Sequence, residues 1–166
     1  AISLGLLGAF LRYRSLQKRI ELPSFAVFAD ALAPGILLAQ AIGRFGNWFN
    51  GELFGRPLDT WWALDVPFKY RPYGYSQFES FHPTFLYEAL WCTLVAVVLI
   101  AFGNRWKPGQ VFAGYVFAYC LGRFFIELIR IDSANTIAGL RVNVWVSVIV
   151  ALSALGFFAR ASKQLQ

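Results

Sequence analysis

PGQVFAGYVFAYCLGRFFIELIR, residues 108–130, is the stretch whose reading decides the fold. Between Lys107 and Arg123 it carries no charge, and apart from two tyrosines and a glutamine it is Val, Phe, Ala, Leu, Cys, Pro and Gly. It is long enough to cross a bilayer core, which takes about 20 mostly apolar residues in a helix. Tyr115, Tyr119, Arg123 and Glu127 recur at every fourth position, with Arg130 three further on, so a helix puts all five on one face. The stretch therefore reads as a membrane span with a polar stripe along one side.

Working outward, three more spans have the same character. Residues 89–104 and 142–159 hold no charge, and residues 22–43 hold only Asp30. Allowing polar ends, helices are expected at 23–43, 84–103, 109–130 and 140–160. Residues 1–11 are apolar but too short to span, and Arg12, Arg14, Lys18 and Arg19 follow them. A signal peptide places its positive charge before the apolar run, so this segment reads as the end of a further helix. Across the 166 residues, 58% are hydrophobic and only 14% charged, against about 25% charged in soluble domains. Disorder, collagen and a charged coiled coil are excluded. The expectation is an all-α, polytopic membrane bundle of four full spans plus the end of a fifth. It forms one transmembrane domain, 1–166, within which 44–83 is an outer-face loop and head segment.

Arg12, Arg14, Lys18, Arg19, Arg105, Lys107, Arg160 and Lys163 fall on one side of this arrangement and make up eight of the 15 basic residues. The positive-inside rule makes that side cytoplasmic. The net charge of +6 is then mainly a topology signal and calls for no nucleic acid. Segment 44–83 and the turn 131–139 belong to the outer side.

The charges inside the spans carry the functional information. Burying Arg123 costs several kcal/mol unless it is paired or wetted. Two readings stand: an internal Arg123–Glu127 pair that fixes helix packing, or a polar cavity for a charged substrate. Asp30 and Arg44, fourteen residues apart, share a helix face, with Pro34 between them expected to kink or loosen the helix. The Gly-, Arg-, Asn- and Glu-rich run 43–56 reads either as a loop with interfacial aromatics or as a polar loop re-entering the membrane. Two arginines from separate helices near the outer face point to an anion, since guanidinium forks match phosphate oxygens. At that depth the anion is a lipid phosphate. Binding, flipping and chemistry all remain open on these grounds. Cys92 and Cys120 lie in spans and read as small apolar residues. With His82 as the only histidine there is no ligand cluster for a metal, and no Gly-x-Ser-x-Gly elbow is present.

Gly43-Arg44-Phe45-Gly46-Asn47-x-x-Asn50-Gly51-Glu52-x-x-Gly55 resembles the signature of the bacterial phosphatidylglycerol–prolipoprotein diacylglyceryl transferase family. Asp30-Ala31-Leu32-Ala33-Pro34, His82-Pro83-Thr84-Phe85-Leu86-Tyr87-Glu88 and Tyr119-x-x-Gly122-Arg123-Phe124-x-x-Glu127 are similar to further family segments, in the same order. The resemblance covers nearly the whole chain, as the C-terminal majority of the family fold. It implies an enzyme of the bacterial inner membrane, with its site toward the outer leaflet and its C-terminus cytoplasmic. The reaction moves the diacylglyceryl group of phosphatidylglycerol onto the lipobox cysteine of a prolipoprotein signal peptide, among membrane lipids, and releases glycerol 1-phosphate without cofactor or metal. By the same resemblance Arg44 and Arg123 hold phosphate and head group, Asn47 and Glu52 orient them, Tyr119 and Glu127 support activity, and Gly55 permits close backbone approach. Asn50 and Glu88 are weaker correspondences.

One departure bears on the base. Family members often carry an upstream His-Gly-Gly whose histidine is proposed as the proton acceptor; here the matching region is near Leu4-Gly5, with no histidine. Glu52, Glu127 and Tyr119 are the candidates left, and His82, opening a helix with Pro83, reads as structural. The aromatic segment 56–81 reads equally as an interfacial belt or, by resemblance, as a head guiding the signal peptide. The competing functions are a noncatalytic phosphatidylglycerol-binding protein or inactive fragment, and a small transporter, for which no internal repeat is present.

Overall fold

A computed structural model describes residues 2–163, and the side chains of 7–162. The side chains of Leu4 and Lys163, used above, lie outside the described residues. Among the described residues there are five α-helices: α1 (Ile2–Gln17), α2 (Phe25–Asn50), α3 (Thr84–Phe102), α4 (Gln110–Ile129) and α5 (Val142–Lys163). Four helices, α2 to α5, are long and apolar enough to cross a membrane. Leu90, Ile100, Ile149 and Leu152 point outward, each more than half exposed, as side chains facing lipid do. The all-α membrane bundle expected from the sequence is the fold found.

The core between α2 and α3 is built from small side chains. Ala33, Leu37 and Ala41 of α2 meet Ala89, Cys92, Val95, Ala96 and Leu99 of α3, with Val111 of α4. Small residues let helix backbones approach where lipid leaves little hydrophobic drive for association. On α4, Gly122 serves the same end: a Cβ there would collide with the indole of Trp91, whose Nε1 donates to Ala118 O at 2.8 Å. Cys92 and Cys120 are buried and free.

One expectation is corrected. Helix α2 does not end at residue 43; the stretch 43–50 is helical, so it is neither a loop nor a re-entrant segment. Gly43 and Gly46 weaken a helix without ending it, and Phe45 and Trp48 both pack on Phe85 of α3, with ring centroids 5.7 and 6.0 Å apart. The stop is Gly51, left-handed at φ 64°, whose N–H donates to Asn47 and Trp48 carbonyls. Helix α2 also runs through Pro34.

Residues 53–83 fold against the ends of the helices. Strands β1 (Leu64–Asp65) and β2 (Ser80–Phe81) pair antiparallel. Phe54, Val66 and Phe81 are buried there with Leu64, Tyr75 and Ile131 against them, whereas Trp61 and Tyr73 are fully exposed. The segment thus has a small buried cluster and an aromatic exterior. Beyond α4, β3 (Thr136–Ile137) and β4 (Leu140–Arg141) form a hairpin. Its turn residues Ala138 and Gly139 both have positive φ, the twist that tight hairpins require.

Candidate functional site

The polar stripe of α4 meets charges from every neighbouring segment. Glu88, near the start of α3 and buried, takes two arginines on its two oxygens. Arg123 Nη1 lies 2.5 Å from Oε1, and Arg44 Nε lies 2.5 Å from Oε2. The Arg123 contact is a well-aligned hydrogen bond; the Arg44 contact is an ion pair whose N–H is off line, which leaves Oε2 without an aligned donor. Arg44 also donates through Nη2 to the Tyr119 hydroxyl at 3.2 Å. One carboxylate therefore brings together arginines that are far apart in sequence.

A second tier lies behind it. Glu127 is buried, accepts from Arg123 Nη2 at 2.8 Å and Asn143 Nδ2 at 3.1 Å, and pairs with Arg141 Nε at 2.8 Å and Arg130 at 3.6 Å. Asp132 accepts from Arg130 Nε at 2.7 Å and Arg141 Nη2 at 2.8 Å. Burial pushes the Asp132 carboxyl up, but hydrogen bonds and charge from Arg130 and Arg141 outweigh it and hold it below its ordinary value. The two tiers contain four guanidiniums against three carboxylates, an excess of one positive charge. Arg44 and Arg123 keep 22% and 17% of their side-chain surface open, so an anion can reach them. Tyr115, Tyr119 and Arg123 line a cavity of about 370 Å³ with Asn143, Ser147 and Val150 of α5.

Both readings of Arg123 are thus present in the geometry, a pair with Glu127 and a cavity. Tyr119, Arg44, Arg123 and Glu127, four of the residues singled out in the sequence, come together. Four others stand apart: Asn47, Asn50, Glu52 and Gly55. Glu52 is exposed and accepts from Asn50 Nδ2 at 3.2 Å beyond the helix stop. Asn47 is half-buried, one turn past Arg44, and its carbonyl takes part in that stop. Gly55 lies at a seam, donating to His82 O at 3.1 Å and bridging to Arg130; a Cβ on it would stand 2.6 Å from His82 Cβ. The central position of Glu88 exceeds its weak correspondence in sequence. Arg141, Asp132 and Asn143 went unnoticed because no helical spacing links them to the stripe.

Asp30 has a separate task. Its carboxylate accepts from Gly109 N–H at 2.6 Å and Phe112 N–H at 2.8 Å. It therefore caps the start of α4 from a neighbouring helix, where no side chain of α4's own cap does so. His82 Nδ1 lies 3.2 Å from the Tyr87 hydroxyl, which also accepts from Trp62 Nε1 at 3.1 Å. Burial, and then the Arg56 charge, hold its imidazole below the ordinary value. It ties the head to α3, as its structural reading expects.

Fold and site together define a membrane helical bundle with a carboxylate-braced arginine pair, of which Arg123 lines a cavity. Comparison with known proteins gives this class a family. The model of the prolipoprotein diacylglyceryl transferase family matches residues 2–160, and the chain belongs to that family. It is 50% identical over 157 residues to phosphatidylglycerol–prolipoprotein diacylglyceryl transferase 2 of Streptomyces coelicolor, covering 93% of this chain and 48% of that protein. It is 46% identical to the transferase of Paenarthrobacter aurescens, covering 95% and 52%, and 45% identical to that of Mycobacterium leprae, covering 98% and 52%. The chain spans about half the length of the curated relatives it matches.

Proposed function

We propose that the whole protein transfers the diacylglyceryl group of phosphatidylglycerol to the lipobox cysteine of a prolipoprotein, releasing glycerol 1-phosphate. The observation that carries this reading is the meeting of Arg44 and Arg123 on Glu88 beside the cavity, in a chain of the transferase family. The cysteine thiol attacks as thiolate. Its sulfur bonds to the glycerol carbon that carries the phosphate, the carbon–oxygen bond to phosphate breaks, and glycerol 1-phosphate leaves with the electron pair. The thiol proton passes to a base of the complete site.

Arg44 and Arg123 hold the phosphate and stabilise the charge it gains on leaving. Tyr119 fixes Arg44, and Glu127 fixes Arg123. Glu127 meets donors on every side, three guanidiniums and a carboxamide, which favours a positioning role over proton transfer. Asn47, Asn50 and Glu52 lie at the outer end of α2, where they meet the polar glycerol head. Gly55 keeps the head against the helix ends. The site faces the outer leaflet of the bacterial inner membrane, with the C-terminus in the cytoplasm. This sidedness rests on the eight basic residues of the opposite face.

The test uses the full-length protein in membranes, with phosphatidylglycerol labelled in its acyl chains and a lipobox peptide. The label should appear on the peptide in a thioether-linked lipid, with one glycerol 1-phosphate released per transfer and none with a Cys→Ser peptide. Binding of phosphatidylglycerol without product would establish the noncatalytic reading instead.

A further inference from the structure

We propose that Gln40 and Tyr115 form an uncharged tier of the lipid site, donating a hydrogen bond to an ester carbonyl of the diacylglyceryl group. The inference rests on the transferase reading above. Tyr115 lies one turn below Tyr119 and two below Arg123, about 12 Å from Arg123 along the axis, and all three line the same cavity. Along α4 the cavity wall passes from the Arg123 guanidinium to the phenols of Tyr119 and Tyr115, with Val146 and Val150 of α5 across from them. A glycerophospholipid has the same order: phosphate, then ester carbonyls.

The pair has a donor to spare. Gln40 Nε2 donates to the Tyr115 hydroxyl at 3.3 Å, and Gln40 Oε1 is buried with no partner. With the carboxamide as placed, the phenol O–H is free to donate. With the carboxamide turned over, the phenol donates to Oε1 and the amide N–H is free. In both arrangements the pair keeps one neutral donor, and an ester carbonyl only accepts. A neutral donor lacks the charge that phosphate demands but matches a carbonyl. Neither residue takes part in bond making or breaking; both are positioning residues that hold the diacylglyceryl group while glycerol 1-phosphate departs.

The experiment compares two lipids in vesicles with the full-length protein: phosphatidylglycerol with ester-linked chains, and its dialkyl ether analogue of equal chain length, which has no carbonyl. The wild type should use the diester roughly five- to tenfold better in kcat/KM, the worth of a neutral hydrogen bond. Gln40→Leu combined with Tyr115→Phe should bring that ratio close to one, an effect that loss of packing alone does not produce. A wild-type ratio of one, which needs no variant to measure, overturns the proposal, as does an unchanged ratio in the double variant. No transfer by the wild type from the diester lipid would overturn the transferase reading itself, and this tier with it.

Discussion

Glu88 holds two arginines on one carboxylate, and this shapes what its loss would do. Breaking a buried ion pair by removing one partner costs about 3–5 kcal/mol, because the remaining charge is left unmatched. Glu88→Gln should destabilise the folded protein by that order, seen as a lower Tm in detergent, and reduce transfer by at least tenfold by releasing Arg44. Glu127 still holds Arg123 in that variant, so the chain should remain folded enough to assay. Asp132 gives a pH prediction. Its folded pKa is depressed by Arg130 and Arg141, so the unfolded state binds the proton more readily. Its contribution to stability is full above the ordinary carboxyl pKa of about 4 and is lost as pH falls through the depressed value. Thermal unfolding of wild type and Asp132→Asn should differ at pH 7 and converge as the pH drops below 4. A constant gap would contradict the assignment.

Among the elements, α2 and α4 are joined at three heights, by Asp30, Gln40 and Arg44. Asp30 caps the start of α4, and fourteen residues on, Arg44 reaches Tyr119. The cap therefore sets the level at which α2 presents Arg44 to the α4 stripe. An N-cap is worth about 1 kcal/mol, and a carboxylate at a helix N-terminus adds a favourable dipole interaction. Asp30→Ala should lower stability by about 1–2 kcal/mol and reduce transfer, and Asp30→Asn, which keeps an acceptor, should recover much of both. Equal damage from the two variants would mean that hydrogen-bond geometry is not what Asp30 provides. The sequence showed the α4 stripe plainly, because a four-residue spacing is a local property of one helix. It could not show Asp30 capping another helix, or Arg141 and Asp132 closing the network, because those contacts depend on tertiary packing. The end of α2 was misplaced for a related reason: glycine weakens a helix, but Phe45 and Trp48 packing on Phe85 sustain it to Gly51.

For the whole molecule, span count and class were legible because hydrophobic length is set by the bilayer rather than by neighbouring residues. The proposed sidedness rests on basic residues alone and predicts labelling. In intact cells an impermeant maleimide should modify a cysteine at Trp61, which is fully exposed on the head, and should reach one at Arg105 only after permeabilisation. The reverse pattern would invert the topology. The arrangement also makes the central claim accessible to substitution. Since Arg44 and Arg123 share Glu88, removing either leaves the other to pair with it. The most direct measurement is transfer of the diacylglyceryl group by full-length protein carrying Arg44→Lys or Arg123→Lys, each shown to be folded. Lysine keeps the charge but loses the fork that grips two phosphate oxygens. Each variant should fall by roughly 10²-fold or more in kcat, as when a transition-state donor is lost. Near wild-type transfer by both would contradict the assignment of the arginine pair as the phosphate site.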